Sequence, residues 1–265
     1  MNLRNVGIFI PVRLSSKRLS GKSMRETILG YPIEILIKNL LDLKINSKNI
    51  IICTSREIID KKLKLVANKY SCNFFAGSKS DIIERFYRAN QKFKFKYIFE
   101  IDGDDIMTDV SYLIKCLSIL IKKNLDFIYT KNLPLGLNCK VFTANALKDI
   151  FNTHISKNNA NGFMYFFYRN SNLKKLCLDF KDYKNIKLRL TLDYLEDLKF
   201  IEILSLILKR KKLKYSLKNY IKIIRDNQDL ANINYFKNFE WQKNTNSMKP
   251  LKIEINGKVK RIFIN

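Results

Sequence analysis

The apolar residues of this chain fall into short uninterrupted runs and longer stretches with helical spacing. The short, β-rich runs occupy residues 6–12, 49–55, 72–78 and 96–105. The longer stretches that follow them occupy residues 31–43, 57–70, 80–93 and 109–124. Strands that alternate with helices of this length predict β-α-β units on a mainly parallel sheet. Because the strands are continuously apolar, we expect helices on both faces of that sheet.

The second half of the chain is less regular. Strands are predicted at residues 126–130 and 139–143, a helix from about 144 to 151, and a polar loop after it. Residues 186–210 then read as a strand, an acidic turn and a long helix. From residue 236 the pattern becomes a polar linker and a hairpin around Asn256 and Gly257. We therefore predict one domain over residues 1–235 and a C-terminal extension over residues 236–265.

The composition describes a globular and very basic protein. Its 265 residues can bury a sizeable core, and the net charge of +26 raises nucleic acid or a membrane surface as partner. The lysines are spread from end to end, however, so we expect no specific nucleic-acid partner. No apolar run approaches 18 residues, so we expect no membrane insertion. The five widely spaced cysteines form no C-x-x-C pair, which argues against a zinc site and suits a reducing cytoplasm.

A basic loop follows the first predicted strand. In "PVRLSSKRLSGK", residues 11–22, the cations are Arg13, Arg18 and Lys22. Ligands of parallel sheets bind at the carboxyl ends of the strands, and backbone amides with cations stabilise bound phosphate there. The loop is neither a Walker A loop nor a dinucleotide fingerprint. On spacing alone, a phosphate site and a solvated basic loop are equal alternatives.

Carboxylates cluster in two later segments. Asp102, Asp104, Asp105 and Asp109 follow a predicted strand, where they suit either Mg²⁺ or a polar turn in which Asp109 caps the next helix. Asp193 ends a strand-like run and is a candidate second metal ligand. The nearby acids Glu196 and Asp197 are better explained by the first turn of a helix, where negative charge is favourable. The only histidine, His154, lies in a polar stretch, and we expect it at the surface.

In this order the segments resemble the cytidylyltransferases that activate sugars for surface polysaccharides. The resemblance is closest to the spore-coat polysaccharide (SpsF-type) branch, followed by the CMP-keto-deoxyoctulosonate and CMP-acylneuraminate synthetases, and it covers about residues 6–235. The first loop matches P-A-R-x-x-S-x-R-L-P-G-K, and "GSKSDIIERFY" matches a second family motif. Gly103 and Asp104 match the metal-binding G-D pair, and "TLDYLEDL" matches the late T-x-D-x-x-E-D-L motif.

The resemblance implies the fold class and an activity. The fold would be α/β, a Rossmann-like three-layer α/β/α nucleotide-diphospho-sugar transferase fold with a mixed, mainly parallel sheet. The activity would be a Mg²⁺-dependent transfer of CMP from CTP to a small acceptor sugar or sugar acid, with pyrophosphate release, for surface polysaccharide or glycoconjugate biosynthesis. The alternatives are another nucleotide, a polyol-phosphate acceptor, or a catalytically silent nucleotide-binding homologue. A homodimer is left open.

The resemblance also implies roles for individual residues. It places Asp104 and Asp193 at the Mg²⁺ ion and gives Arg13, Lys22 and Asp104 catalytic roles. The residues that it places near the nucleotide are Pro11, Arg13, Ser16, Arg18, Lys22, Asp81 and Arg85.

Four departures from the family pattern are visible. Ser20 stands in place of a proline, Ala76 in place of an arginine, and Lys140 in place of a glutamate. An R-E-H-V-T segment of many members is not recognisable in "NNANGFMYFFYRN". The last two departures lie where the acceptor should bind, so they imply an unusual acceptor or reduced catalytic competence. We favour an unusual acceptor, because the nucleotide half keeps its charged residues.

Overall fold

A seven-stranded sheet forms the centre of the molecule. The computed structural model describes residues 3–16, 18–154, 158–160, 162–246, 251–255 and 258–262. The sheet order is β3-β2-β1-β4-β6-β5-β7; β6 runs antiparallel to both of its neighbours, whereas the other described pairings are parallel. The strands are β1 (Val6–Pro11), β2 (Ile50–Ser55), β3 (Asn73–Gly77), β4 (Tyr97–Glu100), β5 (Phe127–Lys131), β6 (Lys140–Thr143) and β7 (Lys175–Asp179). The mixed, mainly parallel α/β sheet is thus confirmed.

Helices cover both faces of this sheet. They are α1 (Pro32–Asp42), α2 (Leu63–Lys69), α3 (Ile82–Phe93), α4 (Val110–Lys122), α5 (Ala144–Thr153), α6 (Met164–Arg169), α7 (Leu195–Arg210), α8 (Leu217–Asp226), α9 (Gln228–Asn232) and α10 (Lys237–Asn246). Successive residues of a strand point to opposite faces. Accordingly Ile8 and Ile10 pack in a cluster with α1, α4, α7 and α8, whereas Phe9 packs in a second cluster with α3, α5 and α6.

Aspartates begin two of the helices. The side chain of Asp81 accepts a hydrogen bond from the backbone of Glu84 at the start of α3, at 2.9 Å. Asp109 accepts from the backbone of Ser111 at 3.0 Å and so caps α4, as expected. Its second oxygen accepts from the backbone of Leu217 at 2.9 Å, which fixes the start of α8 against α4. The capping explanation of Asp109 is confirmed, and this residue is not part of the carboxylate site.

The predicted strand before Asp193 does not join the sheet. Residues 188–193 run extended and make one isolated bridge, between Leu135 and Arg189. The backbone N–H of Leu190 donates to Leu135, whereas that of Leu192 donates to Asp104, both at 2.8 Å. The segment therefore joins two loops instead of pairing with one strand. The seventh position of the sheet is taken by β7, which the sequence pattern did not indicate.

Two further predicted elements differ. The helix expected over residues 57–70 is a 3₁₀ turn at Ile58–Lys62 followed by α2. The polar linker expected after residue 236 contains α10, whose Lys237 pairs with Glu196 at 3.2 Å. This ion pair crosses the domain boundary predicted at residue 235, which stays a prediction.

At the C-terminus, β8 (Leu251–Ile255) and β9 (Lys258–Ile262) form an antiparallel pair. The predicted turn residues Asn256 and Gly257 lie outside the described residues. Among the described helices, none has the length and apolar character needed to cross a membrane.

Candidate active site

The basic loop after β1 is closed by backbone hydrogen bonds. Leu14 accepts from the N–H of Gly21 at 2.9 Å, and its own N–H donates to the buried carboxylate of Asp60 at 2.8 Å. Gly21 has φ +65, a left-handed conformation that glycine adopts without steric cost. A 3₁₀ turn at Lys22–Met24 follows directly, and Lys22 is only 8% exposed. Asp60 thus supports the loop, a role that its place in the helix predicted over residues 57–70 did not suggest.

The end of β4 lies against this loop. The N–H of Gly103 donates to the carbonyl of Pro11 at 3.1 Å, and Ser23 donates to the carbonyl of Gly103 at 3.3 Å. A Cβ atom at position 103 would lie 2.7 Å from the Cβ of Val12, so only glycine permits this approach. The next residue, Asp104, is thereby placed beside Lys22.

Two distant carboxylates meet at Lys22. Its Nζ contacts Oδ2 of Asp104 and lies 2.8 Å from Oδ1 of Asp193. Nη2 of Arg18 lies 2.7 Å from the same Asp193 oxygen. The hydrogen bond from Leu192 to the Asp104 carbonyl aligns the two segments. The structure therefore brings together Arg18, Lys22, Asp104 and Asp193, which the sequence could connect only through the resemblance.

A buried network of hydrogen bonds and ion pairs fixes the position of Asp193. Nη2 of Arg189 lies 3.2 Å from its Oδ2, and Nε of Arg189 donates to Asp197 at 2.8 Å. Asp197 also accepts from the N–H groups of Asp193 and Tyr194, at 2.8 and 3.0 Å. Asn234 donates to Asp197 at 2.8 Å.

The placement of Asp197 in this network corrects an expectation. Asp197 is fully buried and paired, so a favourable position in the first turn of α7 describes its role incompletely. Arg189 and Asn234 were missed altogether. The sequence did contain one indication of this network. Arg189, Asp193 and Asp197 follow one another at intervals of four residues.

The charges of the site depend on one another. Burial alone would lower the pKa of Lys22, but Asp104 and Asp193 hold that pKa above its ordinary value, so Lys22 is charged. Burial would raise the pKa of Asp193, but Lys22, Arg18 and Arg189 hold it below its ordinary value. Burial, together with the nearby Asp193 and Asp102, raises the pKa of Asp104 even though Lys22 opposes this. Of the two carboxylates, Asp193 is the more firmly ionised.

A second charged group adjoins the site. The ammonium of Lys140, on β6, lies 2.6 Å from Glu100 and 2.7 Å from Asp102. Burial would lower the pKa of Lys140, but these two carboxylates raise it well above its ordinary value. Lys140 stands opposite Glu100 in the β4–β6 pairing. Its charge is therefore neutralised within the protein, directly beside the loop that carries Asp104.

The oxygen donors of the site fit a magnesium ion. Asp104 and Asp193 already converge on a single cation, the ammonium of Lys22. Carboxylate oxygens of Asp102, Asp104 and Asp105 also lie within 4.8 Å of one another. Asp102, however, is bound to Lys140, and burial raises the pKa of Asp105 well above its ordinary value. Asp104 and Asp193 could also hold a Mg²⁺ ion in place of the Lys22 ammonium, since carboxylate oxygens are the ligands that Mg²⁺ takes.

Residues 7–231 match the model of one protein family, described as cytidylyltransferase. The chain belongs to the cytidylyltransferase family. It is therefore a nucleotidyltransferase, and its fold is that of the nucleotide-diphospho-sugar transferases. The family membership agrees with the convergence of the basic loop and the two carboxylate motifs at one edge of the sheet.

Relatives of this cytidylyltransferase share most of its length. An uncharacterised protein from Methanocaldococcus jannaschii is 30% identical over 234 residues, which cover 88% of this chain and 95% of the relative. The spore coat polysaccharide biosynthesis protein SpsF from Bacillus subtilis is 27% identical over 151 residues, or 56% of this chain and 63% of SpsF.

Two solved structures have the same fold. A cytidylyltransferase from Leptospira borgpetersenii superposes with a TM-score of 0.75 at 21% identity, covering 86% of this chain and 96% of that one. A CMP:2-keto-3-deoxy-manno-octonic acid synthetase complexed with CTP superposes with a TM-score of 0.57 at 10% identity. The match covers 76% of this chain and 98% of the synthetase.

The other predicted nucleotide contacts of the cytidylyltransferase differ in their surroundings. Arg13 is half-buried, and its Nη1 donates to the carbonyl of Lys79 at 2.9 Å. Ser16 is half-buried on the loop, whereas the carbonyl of Pro11 is used by Gly103. Arg13 thus connects the basic loop with the second family motif.

Asp81 and Arg85, which the resemblance places near the nucleotide, form hydrogen bonds within the protein. Both are buried, with Arg85 at 0% and Asp81 at 3% exposure. Arg85 donates to the carbonyl of Ser78 at 2.7 and 2.9 Å and to that of Lys79 at 3.2 Å. Asp81 caps α3 and accepts from Asn159 at 2.7 Å. The polar atoms of both side chains are engaged within the protein, and their placement near the nucleotide stays a prediction.

The expected surface position of His154 is wrong. His154 is 4% exposed, with Nε2 2.9 Å from Oδ2 of Asp81 and Nδ1 2.8 Å from the carbonyl of Phe151. Its ring also contacts the ring of Phe166 edge-on. The polar residues around it in sequence gave no sign of this packing, since its partner is capping a different helix.

Proposed function

We propose that the chain is a Mg²⁺-dependent enzyme that transfers CMP from CTP to a sugar or sugar acid and releases pyrophosphate. Its product would supply the biosynthesis of a surface polysaccharide or glycoconjugate. One observation carries the proposal: Arg18 and Lys22 of the basic loop meet Asp104 and Asp193 at a single point. Cations that could bind a triphosphate therefore lie beside carboxylates that could bind a metal.

The basic loop would bind the triphosphate. Arg18 is 29% exposed at its side chain, and both Arg18 and Lys22 carry the charge-assisted donors that phosphate oxygens accept. Arg13 lies on the same loop, and the backbone around Pro11 and Ser16 completes the site that we assign to the nucleotide. The solved synthetase of the same fold that is complexed with CTP supports this choice of nucleotide.

The carboxylates would bind the metal. Asp104 and Asp193 would hold Mg²⁺, which when bound supplies neutralisation of phosphate charge. A hydroxyl or phosphate oxygen of the acceptor would attack the α-phosphorus in line, and the new P–O bond would form as the bond to pyrophosphate breaks. A proton released from a hydroxyl would pass to solvent. Arg13 and Lys22 would stabilise the charge that moves onto the leaving group. Positioning and charge account for most of the catalysis in phosphoryl-type transfers.

Lys140, on the acceptor side, favours an unusual acceptor. The family's glutamate is replaced by a lysine whose charge is neutralised by Glu100 and Asp102. A carboxylate at this position is thus absent from the acceptor side. This observation favours a second candidate, the same transfer to a different acceptor such as a polyol phosphate.

A pyrophosphate-release assay tests the proposal. The four nucleoside triphosphates would each be incubated with Mg²⁺ and a panel of sugars, sugar acids and polyol phosphates. We expect release with CTP that needs both Mg²⁺ and one class of acceptor. Release only with a polyol phosphate would support the second candidate. Binding of CTP without release from any acceptor would favour a silent homologue and contradict the proposed activity.

A further inference from the structure

The ammonium of Lys22 lies where the two metal-site carboxylates converge. It contacts Oδ2 of Asp104 and lies 2.8 Å from Oδ1 of Asp193. Arg18 binds that same Asp193 oxygen at 2.7 Å. A divalent cation held by both carboxylates needs these oxygens as ligands, and a ligand oxygen bound to an ammonium and a guanidinium is poorly available to a metal. Lys22 and a metal therefore compete for one position.

The carboxylates of this network are each paired with a cation. Three carboxylates, Asp104, Asp193 and Asp197, are matched by the three cations Arg18, Lys22 and Arg189. Arg189 is fully buried between Asp193 and Asp197, so it is fixed. Addition of a divalent cation alone would leave excess positive charge in a buried site, which is costly. A triphosphate would bring the compensating negative charge and new partners for Arg18 and Lys22.

We infer that Lys22 is a displaceable counter-ion of the metal site, which keeps divalent cations out until a nucleoside triphosphate draws its ammonium away from Asp104 and Asp193. The inference rests on the proposed function for the identity of the nucleotide site. Lysine suits this role because its ammonium is a compact charge on a flexible four-carbon stem. Arg18, on the same oxygen and more exposed, moves to the triphosphate with it.

The inference sets a thermodynamic coupling between metal and nucleotide. If the triphosphate removes a competitor from the metal site, the metal binds more tightly in its presence, and by linkage the nucleotide binds more tightly in the presence of metal. Phosphate ligation of the metal contributes to the same coupling. The metal affinity of the nucleotide-free protein therefore separates competition by Lys22 from ligation of the metal by phosphate.

Binding of Mn²⁺ to the nucleotide-free protein tests the inference. Free Mn²⁺ is followed by electron paramagnetic resonance for the wild type, Lys22→Met and Lys131→Met. Lys131 is a matched control. Its Nζ lies 3.1 Å from the carboxylate of Asp179, which is not a residue of the site. We expect Lys22→Met to bind one Mn²⁺ about tenfold more tightly or better, a change within the usual range of such couplings. Lys131→Met should match the wild type.

An unchanged Mn²⁺ affinity in folded Lys22→Met would overturn the inference. If that variant fails to fold, the ammonium signal of Lys22 in ¹⁵N-lysine-labelled wild type gives the answer instead. Mg²⁺ alone at millimolar concentration should leave the signal in place, and CTP with Mg²⁺ should shift it. A shift of the same size with Mg²⁺ alone would contradict the inference.

These outcomes are separable from those of the proposed function. The wild type could release pyrophosphate in a Mg²⁺-dependent reaction while Lys22→Met shows an unchanged Mn²⁺ affinity. That result would contradict the counter-ion role of Lys22 and support the proposed activity. Tighter Mn²⁺ binding in Lys22→Met without any CTP turnover by the wild type keeps the counter-ion and removes the activity.

Discussion

Asp104 is the side chain that the basic loop and the proposed metal site have in common. Its carboxylate contacts Lys22, and its backbone carbonyl accepts from Leu192 at 2.8 Å. The change Asp104→Asn keeps the shape but removes a charge that we assign to Mg²⁺. We expect pyrophosphate release to fall at least about 10³-fold, since a metal contributes several kcal/mol of charge stabilisation.

The exposed Asp149, on α5, supplies the matched control for this substitution. Asp149→Asn should release pyrophosphate at the wild-type rate, and circular dichroism should show both variants folded. Near-wild-type turnover of Asp104→Asn would remove this residue from the metal site.

Arg18 offers a test of the phosphate site. Its guanidinium pairs with Asp193 and is partly exposed, so its removal should disturb folding little. We expect Arg18→Ala to raise the dissociation constant for CTP about 10- to 100-fold, the range for hydrogen bonds to charged groups. Calorimetric titration measures this. The control is Arg25, whose guanidinium donates a long hydrogen bond of 3.4 Å to the carbonyl of Ser20. Arg25→Ala should leave the dissociation constant for CTP unchanged. Equal constants for Arg18→Ala and the wild type would refute its phosphate role.

At the scale of elements, the extended segment before Asp193 depends on Gly136. Gly136 has φ +100, and a Cβ there would lie 2.5 Å from the backbone carbon of Leu190. We expect Gly136→Ala to lower the free energy of unfolding by about 3 kcal/mol or more, because backbone strain and a clash with backbone add. Urea denaturation measures the loss.

Gly21 provides the comparison for Gly136. It also has a positive φ, +65, but a Cβ there would meet nothing within 4 Å. Gly21→Ala should therefore cost only the left-handed conformation, about 1–2 kcal/mol. Equal losses in the two variants would show that Gly136 does not pack closely on the segment that carries Asp193.

We expect the contact between α3 and the end of α5 to be sensitive to acid. Burial would raise the pKa of Asp81, but hydrogen bonds from His154, the backbone of Glu84 and Asn159 hold it below its ordinary value. A depressed folded-state pKa stabilises the protein above the unfolded value of about 3.9, and this contribution is lost as pH falls through the folded pKa.

Asp81→Asn tests the acid sensitivity of this contact. We expect this variant to be less stable than the wild type by about 1–3 kcal/mol near pH 6. The difference should shrink once the pH falls below about 4. Urea midpoints measured at several pH values give the comparison. A difference that stays constant down to pH 3 would contradict the ionised state of Asp81.

Long apolar elements were readable from sequence, and contacts between distant segments were not. Strands β1 to β4 and helices α1, α3, α4 and α7 follow from runs such as "NIIICTS", because burial on both faces demands continuous apolar residues. Strand β7, in "KLCLD", was missed because lysines flank it and its pairing with β5 crosses a long loop. α6 was missed inside an aromatic stretch without a clear helical period.

The site shows the same division. The basic loop and both carboxylate motifs were identified from residue types and order. The contact of both motifs with Lys22 depends on the backbone hydrogen bond from Leu192 to the carbonyl of Asp104, two residues far apart in sequence. The support Asp60 has no local signal, because it binds the backbone of Leu14 from another element, and Arg189 is signalled only by its four-residue spacing to Asp193. Asp81 and Arg85 matched a motif, yet the structure uses both inside the protein.

At the scale of the whole molecule, the net charge of +26 is the dominant property. Such a charge attracts polyanions without regard to sequence. We expect affinity for random duplex DNA to fall by about 10³-fold between 50 and 200 mM salt, as for a protein that neutralises several phosphates. Fluorescence anisotropy on two unrelated duplexes measures this. A preference for one duplex that persists at 200 mM salt would contradict a purely background role of the charge.

The central claim is that Asp104 and Asp193 bind a divalent cation beside a triphosphate held by the basic loop. A crystal grown with CTP and Mn²⁺, with anomalous diffraction recorded for the metal, tests it most directly. We predict an anomalous peak about 2 Å from an oxygen of each carboxylate and from the triphosphate, with Lys22 moved onto the phosphates. A peak among Asp102 and Asp105, with Lys22 still bound to Asp193, would contradict the claim.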